Sequence, residues 1–545
     1  MNFCEPIVAH ARAHPEQVAL VIPRMEGQRI LSEETVTYGQ LLSHVARFQD
    51  GLKQAGFGNG DRVLVVLRPG VALYALTLAL LASAMVPVFV DSGMPRRVIR
   101  AAIRAANVKA VVSHRKLLRL AWLLPELRRL PRFAEEGRTL GCRALDSLKR
   151  RDEGVRLVSC QKDDKGLITF TSGSTGNPKG ANRTHGSLVA QHRAIRRHWP
   201  DQPGDVDMPC FPVLVLHNLS CGMTTVMPRT DLATPGDVQG GAIIEQIKQQ
   251  GVTRLSGAPA FIRRVAEAAM ERPGQMASLR EVVIGGATVS PSLQQLLTTA
   301  FPDPIRVRIV YGSTEAEPIA DGTLAELARV DDPRGYPVGH IAEGCELAVV
   351  ATDRPLDTEQ AVDAARLEAG SCGEILVRGD HVLQGYVDNP AADRENKIPC
   401  ASGLVWHRTG DTGFVDEQGC LWLCGRLKDR LTVNGNPVDV LPLEKALDQL
   451  DGVERAALVQ DPHRPAIAVC LQTRRPLDGP LLDQIVRWQQ QQQLGALAVY
   501  PLTIPVDRRH NSKIDRAGLV SQLQAGKHKP SRLISASRPE DHRHG

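Results

Sequence analysis

Ten residues from Thr171 to Gly180, Thr-Ser-Gly-Ser-Thr-Gly-Asn-Pro-Lys-Gly, hold the densest chemistry of the chain. Gly173, Gly176 and Gly180 permit close backbone approach and positive φ. Thr171, Ser172, Ser174 and Thr175 offer hydroxyls, and Lys179 brings a positive charge. Backbone amides, hydroxyls and one lysine make a cradle for an anion, suited to a polyphosphate. The loop is not a Walker A loop, because no Gly-Lys-Ser/Thr closes it. A glycine-serine linker between domains is the bland alternative. Such a linker does not need Pro178-Lys179-Gly180 at a fixed offset behind an apolar run.

That run, Leu167–Thr171, is one of several short strands that must position the chemistry. In the first 430 residues strand and helix patterns alternate. Arg62–Leu67 reads as a strand, Ala72–Ala84 as a buried helix, and Val86–Val90 and Lys109–Ser113 as strands flanking a helix at Arg97–Ala106. Glu281–Ile284 and Ile305–Val310 read as short buried strands, each running into a polar turn. The alternation predicts an α/β fold with parallel strands, whose ligands bind beyond the carboxyl ends of the strands. After Arg430 the pattern becomes a short helix at Leu443–Leu450, two alternating strands at Val453–Gln460 and Ala466–Gln472, and a glutamine-rich helix. This predicts a separate α+β domain.

The 545 residues suffice for two to four domains, and 43% hydrophobic with 23% charged residues is the balance of a globular protein. A net charge of +6 over this length makes no case for a nucleic-acid partner. The eleven cysteines are scattered without zinc-type spacing, which predicts reduced thiols and a cytoplasmic setting. The N-terminal stretch lacks the pattern of a signal peptide. Val71–Val90 has the length and apolarity of a membrane span, but Pro87 interrupts it and Asp91 follows. It is read as core, with no transmembrane segment.

The segment Thr171–Gly180 resembles the signature loop of the adenylate-forming superfamily, which joins acyl-CoA synthetases, peptide-synthetase adenylation domains and luciferases. Further motifs follow in that family's order, from Ala9 to about Gln522. Gly285-Gly286-Ala287-Thr288 resembles the segment that lies against adenine. Tyr311-Gly312-Ser313-Thr314-Glu315 resembles the Y-G-x-T-E motif, which implies Tyr311 on adenine, Thr314 on phosphate and Glu315 on Mg²⁺; a hard cation prefers carboxylate oxygen. Thr409-Gly410-Asp411 implies that Asp411 accepts from both ribose hydroxyls. Gly425-Arg426 implies that Arg426 reaches ribose or phosphate, and Lys428 falls at the family's hinge. His510-Asn511-Ser512-Lys513 resembles the C-terminal motif, whose lysine bridges carboxylate and α-phosphate as a mobile point charge. Taken alone, each of these turns is also readable as ordinary surface.

The resemblance implies a large, multi-subdomain adenylate-forming N-terminal domain over residues 1–427 and a small mobile α+β lid over residues 428–526. The polar tail 527–545 is expected to be disordered. Catalysis would rest on Lys513, Glu315, Thr314 and Lys179. The nucleotide would be held by Thr171, Ser172, Gly173, Ser174, Thr175, Gly176, Gly286, Ala287, Thr288, Tyr311, Asp411 and Arg426. The substrates would be ATP, with Mg²⁺, and a small carboxylic acid. The acyl pocket is expected around Val213, His217 and Gly222, in the apolar run Phe211–His217, where no Asp stands to pair an amino group. His217 is open to two readings, a gate beside the acyl group or a packed side chain.

A closer resemblance is to the olefin β-lactone synthetases of bacterial hydrocarbon synthesis, carried by Asp91–Arg96, Gly222–Pro228, Trp422–Arg426 and Arg509–Lys513. These adenylate a β-hydroxy acid whose own hydroxyl then closes a β-lactone, an intramolecular attack with high effective molarity. Thr432 stands where ligases commonly have a lysine, which weakens the case for a CoA channel. Asn434-Gly435-Asn436-Pro437, in contrast, is close to the ordinary ligase loop. Three readings therefore stand: a β-lactone-type synthetase, a ligase using CoA or a separate carrier protein, and a non-catalytic AMP or acyl sensor.

Overall fold

A computed structural model describes residues 1–26, 29–90, 96–120, 124–136, 139–171, 179–211, 213–230, 237–330, 332–507 and 512–535. Among the described residues the strands form two large sheets, a four-stranded sheet and a two-stranded ribbon.

The seven-stranded sheet runs in the order Arg143–Ala144, Arg132–Ala134, Ala110–Ser113, Arg62–Val66, Val86–Val90, Lys165–Thr171, Lys179–Thr184. Its pairs are parallel except the last, an antiparallel hairpin in which Thr171 faces Lys179. The helix Val71–Ala82 covers this sheet and is buried from Tyr74 to Ala82. A helix apolar on every side has no face to give to water, so it packs between layers. The membrane-like stretch is thus core, and no described helix is long and apolar enough to cross a membrane.

The fourteen-stranded sheet is mixed, with the expected parallel strands in one part and antiparallel strands in the other. Its parallel part runs from Val18–Glu26 through Thr224–Val226, Val206–Pro209, Arg254–Gly257 and Glu281–Gly285 to Arg306–Ser313. Beyond that strand every pair is antiparallel, starting with Ala316–Thr323. The connection from Ser313 to Ala316 is too short for a crossover helix, and only antiparallel neighbours can be joined so tightly.

The four-stranded sheet belongs to the smaller C-terminal body: Val453–Gln460, Ile467–Thr473, Leu497–Pro501 and Arg532–Ile534. The helices Val440–Asp448 and Gly479–Gln491 bury Leu443, Leu447, Leu481 and Ile485 in a core with Leu458, Val469 and Val499. Arg532–Ile534 corrects the reading of 527–545 as a disordered tail. This segment pairs antiparallel with Leu497–Pro501, Ile534 is buried, and Gln489 donates to the Ser535 carbonyl at 3.0 Å. Polarity alone hid it, because one apolar residue and backbone pairing suffice for an edge strand. Residues 536–545 lie outside the described residues.

The two bodies meet through specific groups. The buried Lys445 ammonium donates to the carbonyls of Asp332 and Gly335, each at 3.1 Å. Asp439 of the small body accepts from Thr412 of the large one at 2.6 Å, and Arg430 beside it holds its carboxylate at 2.9 Å.

Candidate active site

Several of the candidate residues lie at one edge of the large sheet. In the parallel register Gly257 faces Ile284 and Gly285 faces Val310. The carboxyl ends of three neighbouring strands therefore deliver Ala258–Pro259, Gly286–Thr288 and Tyr311–Glu315 side by side. Gly286 has φ +87°, a left-handed conformation that a side chain would strain. Ala287 and Thr288 complete this turn and are half-buried. The strand expected to end at Val310 continues to Ser313, so Tyr311 lies on the strand and not in a turn. The longer strand gives Tyr311 a fixed direction.

That direction is toward Asp411. The Tyr311 hydroxyl donates to Asp411 Oδ2 at 2.7 Å, and Arg426 Nε lies 2.8 Å from Asp411 Oδ1. Asp411 and Arg426 are cross-strand partners in Val405–Val415 and Cys420–Arg426. Burial, then the neighbouring Asp411 charge, pushes the Tyr311 phenol well above its ordinary value, so it stays a donor. Three residues spread over 116 positions form one hydrogen-bonded set.

A second group forms around Glu315. Residues 172–178 lie outside the described residues, and with them Ser172, Gly173, Ser174, Thr175 and Gly176. Thr171 is described as the last residue of its strand. The hairpin stem is secured by Arg183, which donates to Thr169 Oγ1 at 2.7 Å and to the Thr314 carbonyl at 2.9 Å. The stem of the glycine-hydroxyl loop is thereby tied to the turn carrying Thr314 and Glu315. Glu315 Oε1 accepts from the Tyr386 hydroxyl at 3.0 Å. Lys179 pairs with Glu395 at 3.3 Å, and its ammonium also lies 5.7 Å from the Tyr386 ring centroid. The buried Lys397 ammonium lies 5.5 Å from the same ring and donates to the Leu383 carbonyl. Burial lowers the Lys397 amine to about 7, against the nearby Glu315 and Asp393 charges that favour its cation.

Ser512, next to the C-terminal lysine, touches the same region of the sheet. Val506 and Ile514 form an antiparallel bridge, and Asp507 closes the loop between them. The Asp507 amide donates to the Lys513 carbonyl at 2.8 Å, and Asp507 Oδ1 accepts from the Lys513 amide at 2.9 Å. Ser512 Oγ accepts from the amide of Ala260 at 3.1 Å. Ala260 lies in the first turn of the helix Pro259–Glu271, directly behind the strand Arg254–Gly257. The small body thus lays the Lys513 segment on the edge that also carries Gly286 and Tyr311. Lys428 is exposed in a 3₁₀ turn, Leu427–Asp429, between the bodies. Its neighbour Asp429 lies 3.5 Å from Arg516 of the small body.

The acyl candidates divide. Val213 and His217 line a recess together with Phe3, Leu188, His192, Leu214, Leu216 and Glu317. His217 is buried, and burial lowers its imidazole well below the ordinary value. Gly222 is set by packing against a distant residue. It caps the helix Leu214–Cys221 at φ +73°, and a Cβ there would stand 2.4 Å from the His10 ring. Its smallness serves that close approach, and it is not among the described residues lining the recess.

Arg183, Tyr386, Lys397 and His192 were not singled out in the sequence. Arg183 and Tyr386 hold other residues in place across the chain and carry no motif of their own. Lys397 looks like any surface lysine until its strand is paired. All eleven cysteines are free, including Cys420 and Cys424.

The chain folds as a large and a small body with a polar sheet edge, and the comparisons define its class. Residues 7–387 match the family described as AMP-binding enzyme. The chain belongs to this family and is an adenylate-forming ligase or synthetase. It is 32% identical to an olefin beta-lactone synthetase of Stenotrophomonas maltophilia (strain K279a), covering 95% of this chain and 97% of that one. It is 27% identical to a putative acyl-CoA ligase of Bacillus subtilis (strain 168), covering 85% and 87%. Among solved structures, the amide bond synthetase of Marinactinospora thermotolerans shares the fold, with a TM-score of 0.77 at 22% identity over 95% and 98% of the chains. So does the O-succinylbenzoate coenzyme A synthetase of Bacillus subtilis in complex with ATP and magnesium ion, with a TM-score of 0.75 at 17% identity over 95% and 99%.

Proposed function

We propose that this enzyme adenylates a β-hydroxy fatty acid with ATP and that the acyl-adenylate then closes to a β-lactone. The first step joins two anions, a carboxylate and a triphosphate, so the site must offset charge and hold the reacting oxygen in line with the α-phosphorus. Lys513 and Lys179 offer cations for this, and the carboxylic acid, ionised at neutral pH, needs no base. Tyr311, Asp411 and Arg426 would orient the nucleoside, and Gly286–Thr288 its base. Glu315 is a single carboxylate steadied by Tyr386, a donor set that fits an Mg²⁺ ion whose other ligands are phosphate oxygens and water. Such an ion supplies charge compensation between phosphate groups when bound. The observation that carries the nucleotide step is the Ser512–Ala260 contact, which lays the Lys513 segment on the edge shared by Gly286 and Tyr311.

The choice of acid and of second step is supported by near full-length likeness to an olefin beta-lactone synthetase and by the apolar wall from Leu214 to Leu216. Thr432 in place of a cation also argues against a CoA phosphate path. A ligase acting with CoA or a separate carrier protein is the second reading, favoured by the Asn434–Gly435 turn, with φ +52° and +81°. For the second step of either reading, Lys428 is proposed as the hinge and residues 428–526 as the moving lid. The test is incubation with ATP, Mg²⁺ and a 3-hydroxy fatty acid, with and without CoA, followed by mass spectrometry. A product lighter than the acid by one water, formed without CoA, is expected. A product formed only with CoA, as the thioester, rejects lactone closure.

A further inference from the structure

His217 belongs to a cluster that the adenylation chemistry leaves unexplained. It lies four residues before Cys221 on the helix Leu214–Cys221, which puts both side chains on one face. His192 approaches from the neighbouring helix His185–His198. Its Nδ1 is 3.0 Å from His217 Nδ1, and Cys221 Sγ is 3.6 Å from His217 Nε2. One ligand atom from each residue lies within 4.8 Å of those of the other two. The i, i+4 pairing of His217 with Cys221 is a spacing that a search for paired cysteines passes over.

We propose that His192, His217 and Cys221 bind one divalent ion of the zinc class, at a site separate from the Glu315 position. Two imidazoles and a thiolate are the ligand set of borderline ions such as Zn²⁺ and Co²⁺, whereas Mg²⁺ takes oxygen. The two short contacts use opposite nitrogens of the His217 ring, so an ion held by one of them at about 2.0–2.3 Å draws the third ligand round the ring by side-chain rotation. The site has three protein ligands and an open fourth position, because His192 and His217 line the recess shared with Val213, Leu214 and Glu317. The thiol proton leaves to solvent as the ion binds. The nearby charges are partly balanced. Asp201 faces the Cys221 thiol and is held by Arg196 at 2.5 Å, while Arg254 lies against Trp199 and 3.8 Å from Asp205. An ion here fixes His217 at the wall of the recess.

The test uses the full chain, stripped of metal with a chelator at pH 7.5 and titrated with Co²⁺ and then Zn²⁺. One tight equivalent of Co²⁺ with a thiolate-to-cobalt charge-transfer band is expected, and Zn²⁺ should displace it. Cys221→Ser should abolish the band, and His192→Gln should weaken Zn²⁺ binding by at least about ten-fold. Thermal melts establish that both variants are folded. In the unmodified chain, Zn²⁺ should slow alkylation of Cys221 by iodoacetamide relative to the other cysteines, read by peptide mass spectrometry; this arm holds even where a variant fails to fold. Absence of a tight equivalent, unchanged binding by the folded variants, or an unchanged Cys221 alkylation rate overturns the proposal.

Discussion

The Tyr311 hydroxyl donates to Asp411 at 2.7 Å, joining two strands whose residues are 100 positions apart. Asp411 spends its other oxygen on Arg426. The carboxylate that would take the ribose hydroxyls is therefore already oriented from two sides before nucleotide binds. A hydrogen bond to a charged group contributes about 1.5–3 kcal/mol. Tyr311→Phe keeps the ring and removes only that bond, so ATP affinity should fall about ten-fold. Equilibrium binding of ATP checks this, and unchanged affinity would show that Arg426 alone positions Asp411.

The contrast between Tyr311 and Gly222 shows how far the sequence was legible. The order of elements, the buried helix after Val71 and the small C-terminal body follow from periodicity. The motif residues were legible because their types suit the chemistry and their order is that of a known family. What sequence spacing cannot give is which long-range neighbour a residue meets. Tyr311 was placed in a turn because a strand's end is set by its partners, here Ala316–Thr323. Nothing local to Gly222 announces its packing against His10, more than 200 residues away. Arg183 and Lys397 escaped for the same reason: their roles exist only once distant strands pair.

Gly222 gives a prediction that separates packing from specificity. At φ +73°, with His10 Cε1 2.4 Å from the position of a new Cβ, Gly222→Ala is strained in both backbone and packing. A cost of ~1–3 kcal/mol is expected. The melting temperature should fall while the preference among acids of different chain length stays the same. A stable variant with altered chain-length preference would return Gly222 to the acyl pocket.

Lys397 provides a pH signature. Burial lowers its amine in the folded chain to about 7, below the ordinary lysine value of 10.5. Below pH 7 the group is charged in both states and the burial cost is fully present. Between about 7 and 10.5 the unfolded chain binds a proton that the folded chain does not, so stability rises with pH by up to ~1.4 kcal/mol per unit. Lys397→Met lacks this slope. Melting curves of both proteins from pH 6 to 9 should show the wild type gaining on the variant as pH rises. Parallel curves would mean that Lys397 stays charged beside Glu315.

Glu315→Gln removes the charge that suits a hard cation while keeping an acceptor for the Tyr386 hydroxyl. The Mg²⁺ concentration needed for half-maximal pyrophosphate release should rise several-fold. An unchanged metal titration would count against Glu315 as the ligand.

The Lys513 segment is held by contacts of its backbone and of Ser512. Asp507 braces the amide and carbonyl of Lys513, and Ser512 takes the Ala260 amide. Lys513→Ala keeps these backbone and Ser512 contacts and removes the ammonium. An interaction made mainly in the transition state affects turnover and not ground-state binding. ATP binding should stay within about three-fold, while acid-dependent pyrophosphate release should fall by at least about a hundred-fold. Lys513→Arg should not restore it, because a planar fork cannot stand in for a compact, rotatable ammonium between two oxygens. Ser512→Ala should act differently, loosening the small body and slowing both pyrophosphate release and its reversal. If Lys513→Ala turned over at nearly the normal rate, the charge bridging acid and nucleotide would have to come from another cation, and Lys179 would be the one to test.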